Sequence, residues 1–304
     1  MTKYSLIAVD FIAPYVAGIK KFSEEVRLSN KVFFLHQLRV NIRRFKNMLE
    51  MFDSLFSARR IKKWNKALNK VASATSVSRD LDVYMAFLRR YRTHLTNPER
   101  KKVVTTLLNH CKDQREKEQE QVAEVLGDFA RAKWPARLSK MLVKTAKKSQ
   151  KTDSSKIYKV CRKAVFKRCR DILAYDAIVS QPEKSEELHQ MRICVKHLRY
   201  SLEGVQNIYS GELKNYAERV VLFHRQLGDI HDYDVWQIRN SYYMSGKDIS
   251  DQERSVLTGL ERHLKAQRHK VYRAFMSNWS RAKRERFFEE LVEYFYAYQY
   301  SSIC

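Results

Sequence analysis

Residues 35–50 read LHQLRVNIRRFKNMLE, and residues 188–203, 153 positions later, read LHQMRICVKHLRYSLE. Six of the sixteen aligned positions are identical, and six more are conservative exchanges such as Val40/Ile193, Arg43/Lys196 and Lys46/Arg199. A repeat at half the chain length predicts an internal duplication. Leu35, Leu38, Ile42, Phe45, Leu49 and Phe52 are spaced 3, 4, 3, 4 and 3, which paints one apolar stripe on an α-helix. Leu188, Met191, Val195, Leu198, Leu202 and Val205 repeat that spacing.

A second stripe lies roughly 130° round the same helix, at 100° per residue. It holds His36, Arg39, Arg43 and Lys46 in the first copy and His189, Arg192, Lys196 and Arg199 in the second. A charged stripe beside an apolar one is ordinarily a solvated face, and a solvated face accepts charge of either sign. Here the same kind of residue returns at all four positions in both copies, and none is acidic. That register favours a ladder of cations facing an anionic ligand.

Composition sets the frame. Gly 7 and Pro 4 in 304 residues, with no Asn-Gly or Asp-Gly hairpin signal, predict an all-α chain. A hydrophobic share of 44% supports packed cores and excludes a disordered tail. The net charge of +25 asks for a polyanion: nucleic acid, an anionic membrane or condensed phosphate. Cys111, Cys161, Cys169, Cys194 and Cys304 are odd in number and without paired spacing, which predicts reduced thiols in the cytoplasm. No apolar run reaches the 18 or so residues of a membrane span. MTKYSLIAVD carries an acid where a signal peptide would continue its apolar core, so the chain is expected to stay inside the cell.

Along the chain, the spacing predicts an opening helix over 6–28, interrupted near Pro14, then the helix of the first copy over 31–53 and a third over 57–74. Ser78 reads as an N-cap with Asp80 and Asp82 in the following turn, where negative charge suits the helix dipole. Asn97-Pro98 opens a long helix to Arg131. Trp134-Pro135 breaks the chain before a short helix to Lys148. SQKTDSSK (149–156) reads as a linker, which divides the chain into two helical bundles, 1–150 and 151–304. The second half replays the first: helices over 157–178, 186–209, 212–227, one beginning at HDYDVWQI (231–238), a long one over 251–279, and a last over 284–300.

Two further echoes accompany the first. RDLDV (79–83) matches HDYDV (231–235) at an offset of 152, and Leu107, His110 and Arg115 match Leu260, His263 and Arg268 at 153, a scatter that chance could also produce. The pattern L-H-Q-x-R-[VI]-x-[IV]-[RK]-x-[FL]-[KR], followed some forty residues later by x-D-x-D-V and occurring twice in one helical chain, resembles the CHAD domain, the conserved-histidine α-helical domain, over about residues 10–290. The resemblance implies two bundles related by pseudo-two-fold symmetry, with basic residues lining a central groove or pore. It also implies non-catalytic binding of inorganic polyphosphate, no cofactor, and residence in the cytoplasm with polyphosphate granules. Carried over position by position, the family's histidines are His36 and His189. Its basic positions are Arg39, Arg43, Arg44, Lys46, Arg192, Lys196 and Arg199, with Tyr200 beside them. Thr75-Ser76 departs from Leu227-Gly228, His197 stands where the family has Arg, and Asn47 sits opposite Tyr200.

Each histidine admits three readings: a satisfied core residue, a metal ligand, or a phosphate donor. Two Arg and a Lys beside each histidine oppose a metal cation and favour an anion, which would raise an imidazole whose ordinary pKa is about 6.5. Asp80, Asp82, Asp232 and Asp234 read as caps or as groups that position the cations, in preference to a catalytic DxD. Phe287, Phe288, Leu291 and Phe295 lie at core spacing, with Tyr294 and Tyr298 on another face. No Walker-type glycine loop is present. The leading expectation is a monomeric polyphosphate-binding module that is not an enzyme and has no membrane partner. A nucleic-acid binder comes second, and a His-dependent phosphate- or metal-handling enzyme third.

Overall fold

In a computed structural model the chain is helical, with no strand among the described residues, which are 4–147, 155–209, 211, 213–246 and 249–301. It divides into two compact units, Met1–Ile157 and Tyr158–Cys304. The first contains α1 (Tyr4–Leu28), α2 (Val32–Met51), a 3-10 turn (Asp53–Leu55), α3 (Ala58–Ala74), α4 (Ser76–Thr93), α5 (Pro98–Arg131) and α6 (Trp134–Lys147). The second is built from α7 (Lys156–Leu173), α8 (Ser185–Val205), α9 (Leu213–Met244), α10 (Asp251–Arg284) and α11 (Phe287–Ser301). Residues 149–154 of the expected linker, the boundary near 150 and Cys304 lie outside the described residues. Cys111, Cys161, Cys169 and Cys194 are free thiols. No helix among the described residues is long and apolar enough to cross a membrane.

The apolar stripes of the two copies organise the cores. Leu35, Leu38, Ile42, Phe45 and Leu49 of α2 are buried, as are Leu188, Met191, Val195, Leu198, Leu202 and Val205 of α8. Each such side chain contributes about 1.5–3 kcal/mol on full burial. Along α1, Ala8, Ile12, Val16 and Ile19 face inward. A Cβ at Gly18 would stand 2.2 Å from Asn41 Oδ1, so a larger residue there would have to displace the Asn41 side chain between α1 and α2. In the second unit Phe223, Phe275, Trp279, Phe287 and Phe288 form one aromatic core, with ring centroids 5.1–6.3 Å apart. Phe287, Phe288, Leu291 and Phe295 are therefore core. Tyr294 packs on Tyr209 and Tyr216, and the Tyr298 side chain lies outside the described set.

Several local expectations are corrected. Pro14 does not interrupt α1: it and Asp10, whose carbonyl loses its amide partner, are both exposed, so the missing bond falls on the solvent side of the helix. Ser78 is not an N-cap. It is buried inside α4, which starts at Ser76, and this places Asp80 and Asp82 beyond the first turn. Asn97 does cap α5, accepting from the Arg100 amide at 3.1 Å, with Pro98 following. The helices expected over 212–227 and from 231 are one continuous helix, α9. The first unit is interrupted at the corresponding place, at Thr75. There the hydroxyl bonds back to the carbonyls of Val71 at 2.8 Å and Ala72 at 3.2 Å, a contact that bends helices. Leu227, at the corresponding position of α9, has no such group.

Candidate functional site

Three cations and one imidazole meet in the first unit. α2 presents His36, Arg39 and Arg43, and Arg79 joins them from α4. Burial pushes the His36 imidazole down to about 4, and Arg79, Arg43 and Arg39 push in the same direction. Its Nδ1 is buried without a hydrogen-bond partner, as are Nε of Arg39 and of Arg43. Arg39 donates to the Ala72 carbonyl at 2.5 Å and to Thr75 Oγ1 at 2.9 Å. Burial and the nearby Arg43 and Arg79 bring its guanidinium down to about 10, against the pull of Asp80. Arg43 makes no hydrogen bond or ion pair among the described residues.

The second unit carries a related cluster. α8 presents His189, Arg192 and Lys196, and α9 supplies His231. The Nδ1 atoms of His189 and His231 are 2.9 Å apart and their ring centroids 4.1 Å. Burial lowers His231 to about 4, helped by Arg192, His189 and Lys196. Burial lowers His189 too, with Arg192 and Lys196 adding and Glu186 opposing. Arg192 Nε lies 3.7 Å from where a Cβ of Gly228 would stand, so Arg192 meets the next helix at the level where Arg39 meets Thr75.

The remaining site expectations divide. Lys46 donates to Asn69 Oδ1 at 2.6 Å, and burial lowers its pKa. Arg199 is ion-paired to Glu203 at 2.6 Å and lies 3.1 Å from His224. Arg44 is turned toward α1, 6.0 Å over the Tyr15 ring. Tyr200 is only 5% exposed and belongs to the core.

Asp82 and Asp234 do not position the stripe cations. They reach across to long helices instead: Asp82 to Arg115 on α5 at 3.2 Å, and Asp234 to Arg268 on α10. Asp80 acts on a stripe cation, Arg39, and Asp232 follows His231 on α9. Among the described residues no group of three or more His, Cys, Asp or Glu is placed to hold a metal ion. Arg79 and His231 were not among the expected site residues. The signal for them is present, because each opens the repeated x-D-x-D-V motif and each can carry positive charge.

The sequence pattern of the CHAD domain family matches residues 11–241, about three-quarters of the chain, and the chain belongs to that family. The match stops short of α10 and α11, whereas the motifs suggested a likeness to about residue 290. Two solved structures share the fold. One is the crystal structure of the CHAD domain from the plant Ricinus communis, with TM-score 0.71 and 17% identity over 91% of each chain. The other is PptA from Streptomyces chartreusis, with TM-score 0.66 and 13% identity over 92% of this chain and 100% of that one. Among curated proteins none matches the sequence.

Proposed function

We propose that this chain binds inorganic polyphosphate, without catalysis, through His36, Arg39 and Arg43 of α2 and His189, Arg192 and Lys196 of α8. The observation that carries the reading is where two of the acids go: in both units the second Asp of the motif pairs with an arginine of a long helix and not with a cation of the α2 or α8 stripe. Like charges gathered at half-buried positions raise the energy of the unliganded protein, and an anion along them removes that cost. From His36 to Lys46 the stripe rises about 15 Å, so a linear anion with a charge on every unit meets several rungs at once. Arg suits phosphate oxygens through its two-pronged fork and Lys as a point charge. We also read the units as copies of one ancestral bundle, supported by the Asp82–Arg115 and Asp234–Arg268 pairs at offsets of 152 and 153. Residence in the cytoplasm with polyphosphate granules belongs to the same proposal.

The test is titration with medium-chain polyphosphate of the wild type, Arg43→Glu, Lys196→Glu and the double variant. Arg43 and Lys196 are the better choices because Arg39 also holds the end of α3. Each reversal is expected to weaken binding at least tenfold, since a charge-assisted contact is worth about 1.5–3 kcal/mol. Unchanged affinity in the double variant defeats the reading. So does displacement of polyphosphate by single- or double-stranded DNA at equal phosphate concentration, which would favour a nucleic-acid binder. Chain-length analysis after incubation with divalent metal tests the absence of catalysis, and shortening of the polymer refutes it.

A further inference from the structure

Resting on the polyphosphate reading, we infer that Arg79 and His231 are themselves anion-binding residues, and that His231 makes capture by the second unit depend on a proton. They occupy corresponding places, 152 residues apart, each opening the same motif on the helix beside the cation stripe. Each also meets the stripe's histidine: Arg79 bears on His36 electrostatically, and His231 shares a hydrogen bond with His189. The fixed charges differ as a result. The first cluster holds three guanidinium groups, Arg39, Arg43 and Arg79, and the second one guanidinium and one ammonium, Arg192 and Lys196. One proton on the imidazole pair makes the two clusters equal.

The pair is built to take that proton. A hydrogen bond between two Nδ1 atoms contains one hydrogen, so one ring donates and the other accepts. A proton from solvent then adds to Nε2 of the donating ring. The resulting imidazolium keeps its bond to the neutral partner, now strengthened by charge. The groups facing the pair decide when this happens. On α8, Arg192 and Lys196 oppose it and Glu186 favours it. On α9, Asp232 and Asp234 follow His231, and Asp234 is engaged with Arg268 of α10. Without ligand the two cations and burial prevail, and both rings stay neutral near pH 7. A bound polyanion offsets Arg192 and Lys196, so the proton enters with the anion and leaves with it. Among the described residues no second imidazole stands beside His36, whose neighbours Arg39, Arg43 and Arg79 are guanidinium groups.

The experiment is calorimetric titration of the full chain with medium-chain polyphosphate at pH 6 and pH 8, in buffers of different ionisation enthalpy. The wild type is expected to bind about tenfold more tightly at pH 6, with uptake of up to one proton, as linkage requires. His231→Arg copies the first unit, and binding should persist with the proton uptake and pH dependence largely gone. Arg79→His, the reciprocal change, should weaken binding at pH 8 and steepen the pH dependence. His231→Gln, which keeps a hydrogen-bonding group, serves as a second probe if the arginine variant fails to fold, and should likewise flatten the profile. Binding with the same pH dependence in the wild type, His231→Arg and His231→Gln overturns this inference alone. No binding by the wild type at either pH overturns the polyphosphate reading beneath it.

Discussion

Arg39 Nη1 lies 2.9 Å from Thr75 Oγ1 and closes the bend between α3 and α4, so one cation of the stripe is also a structural clamp. Arg43, one turn further along α2, clamps nothing among the described residues. Arg39→Ala is therefore expected to lose about 1–3 kcal/mol, the cost of freeing the Ala72 carbonyl and the Thr75 hydroxyl from a charged donor. Arg43→Ala should stay within about 0.5 kcal/mol of the wild type. Urea unfolding separates the two, and equal losses would contradict the clamp.

The two Asp–Arg pairs differ in depth, and their deletions should differ accordingly. The Asp82 and Arg115 side chains are 1% and 6% exposed, while those of Asp234 and Arg268 are 20% and 16% exposed. Asp82→Ala leaves a buried guanidinium that keeps Gln119 as its one side-chain partner among the described residues, and should cost about 3–5 kcal/mol. Asp234→Ala should cost less, about 1–3 kcal/mol, because Arg268 keeps the Pro182 carbonyl at 2.7 Å. A larger loss at Asp234 on urea denaturation would reverse this ranking.

Acid should destabilise the unliganded protein through its imidazoles. His36 and His231 titrate near 4 when folded, below the ordinary 6.5, so the unfolded chain binds those protons more tightly. The stability they contribute is complete above about pH 6.5 and disappears as pH falls toward 4. Urea midpoints measured between pH 7 and pH 4 should fall more steeply for the wild type than for a His36→Gln/His231→Gln variant. Saturating polyphosphate should shallow the wild-type fall. Parallel profiles for the two proteins would show that these histidines titrate normally when folded.

Gly228 sits inside α9, and a Cβ there would make only an ordinary 3.7 Å contact with Arg192 Nε. Gly228→Ala should therefore stabilise the protein by about 0.5–1 kcal/mol, the usual difference between these residues in a helix interior. Destabilisation in urea would mean that Arg192 needs the open space.

Spacing alone carried the helices α2 and α8 and their buried faces, because a 3.6-residue period and a continuous apolar stripe are local properties of sequence. Asn97-Pro98 likewise marked the start of α5 through cap chemistry that needs no distant partner. Where a distant partner mattered, local reading erred. Ser78 has the right side chain for a cap but is swallowed by α4. Arg44 and Tyr200 follow the stripe residues in sequence, yet one turns to Tyr15 on α1 and the other into the core.

By itself the sequence determined that the chain is helical and that cations recur in register on two helices, since composition and periodicity suffice for both. Only the tertiary structure decided which groups stand beside those cations. It carried Asp82 and Asp234 away to Arg115 and Arg268, tied Arg199 to Glu203, and brought Arg79 and His231 to the stripe histidines. Charge compensation acts over a few ångströms in space, and those distances come from helix packing, which no spacing along one helix encodes.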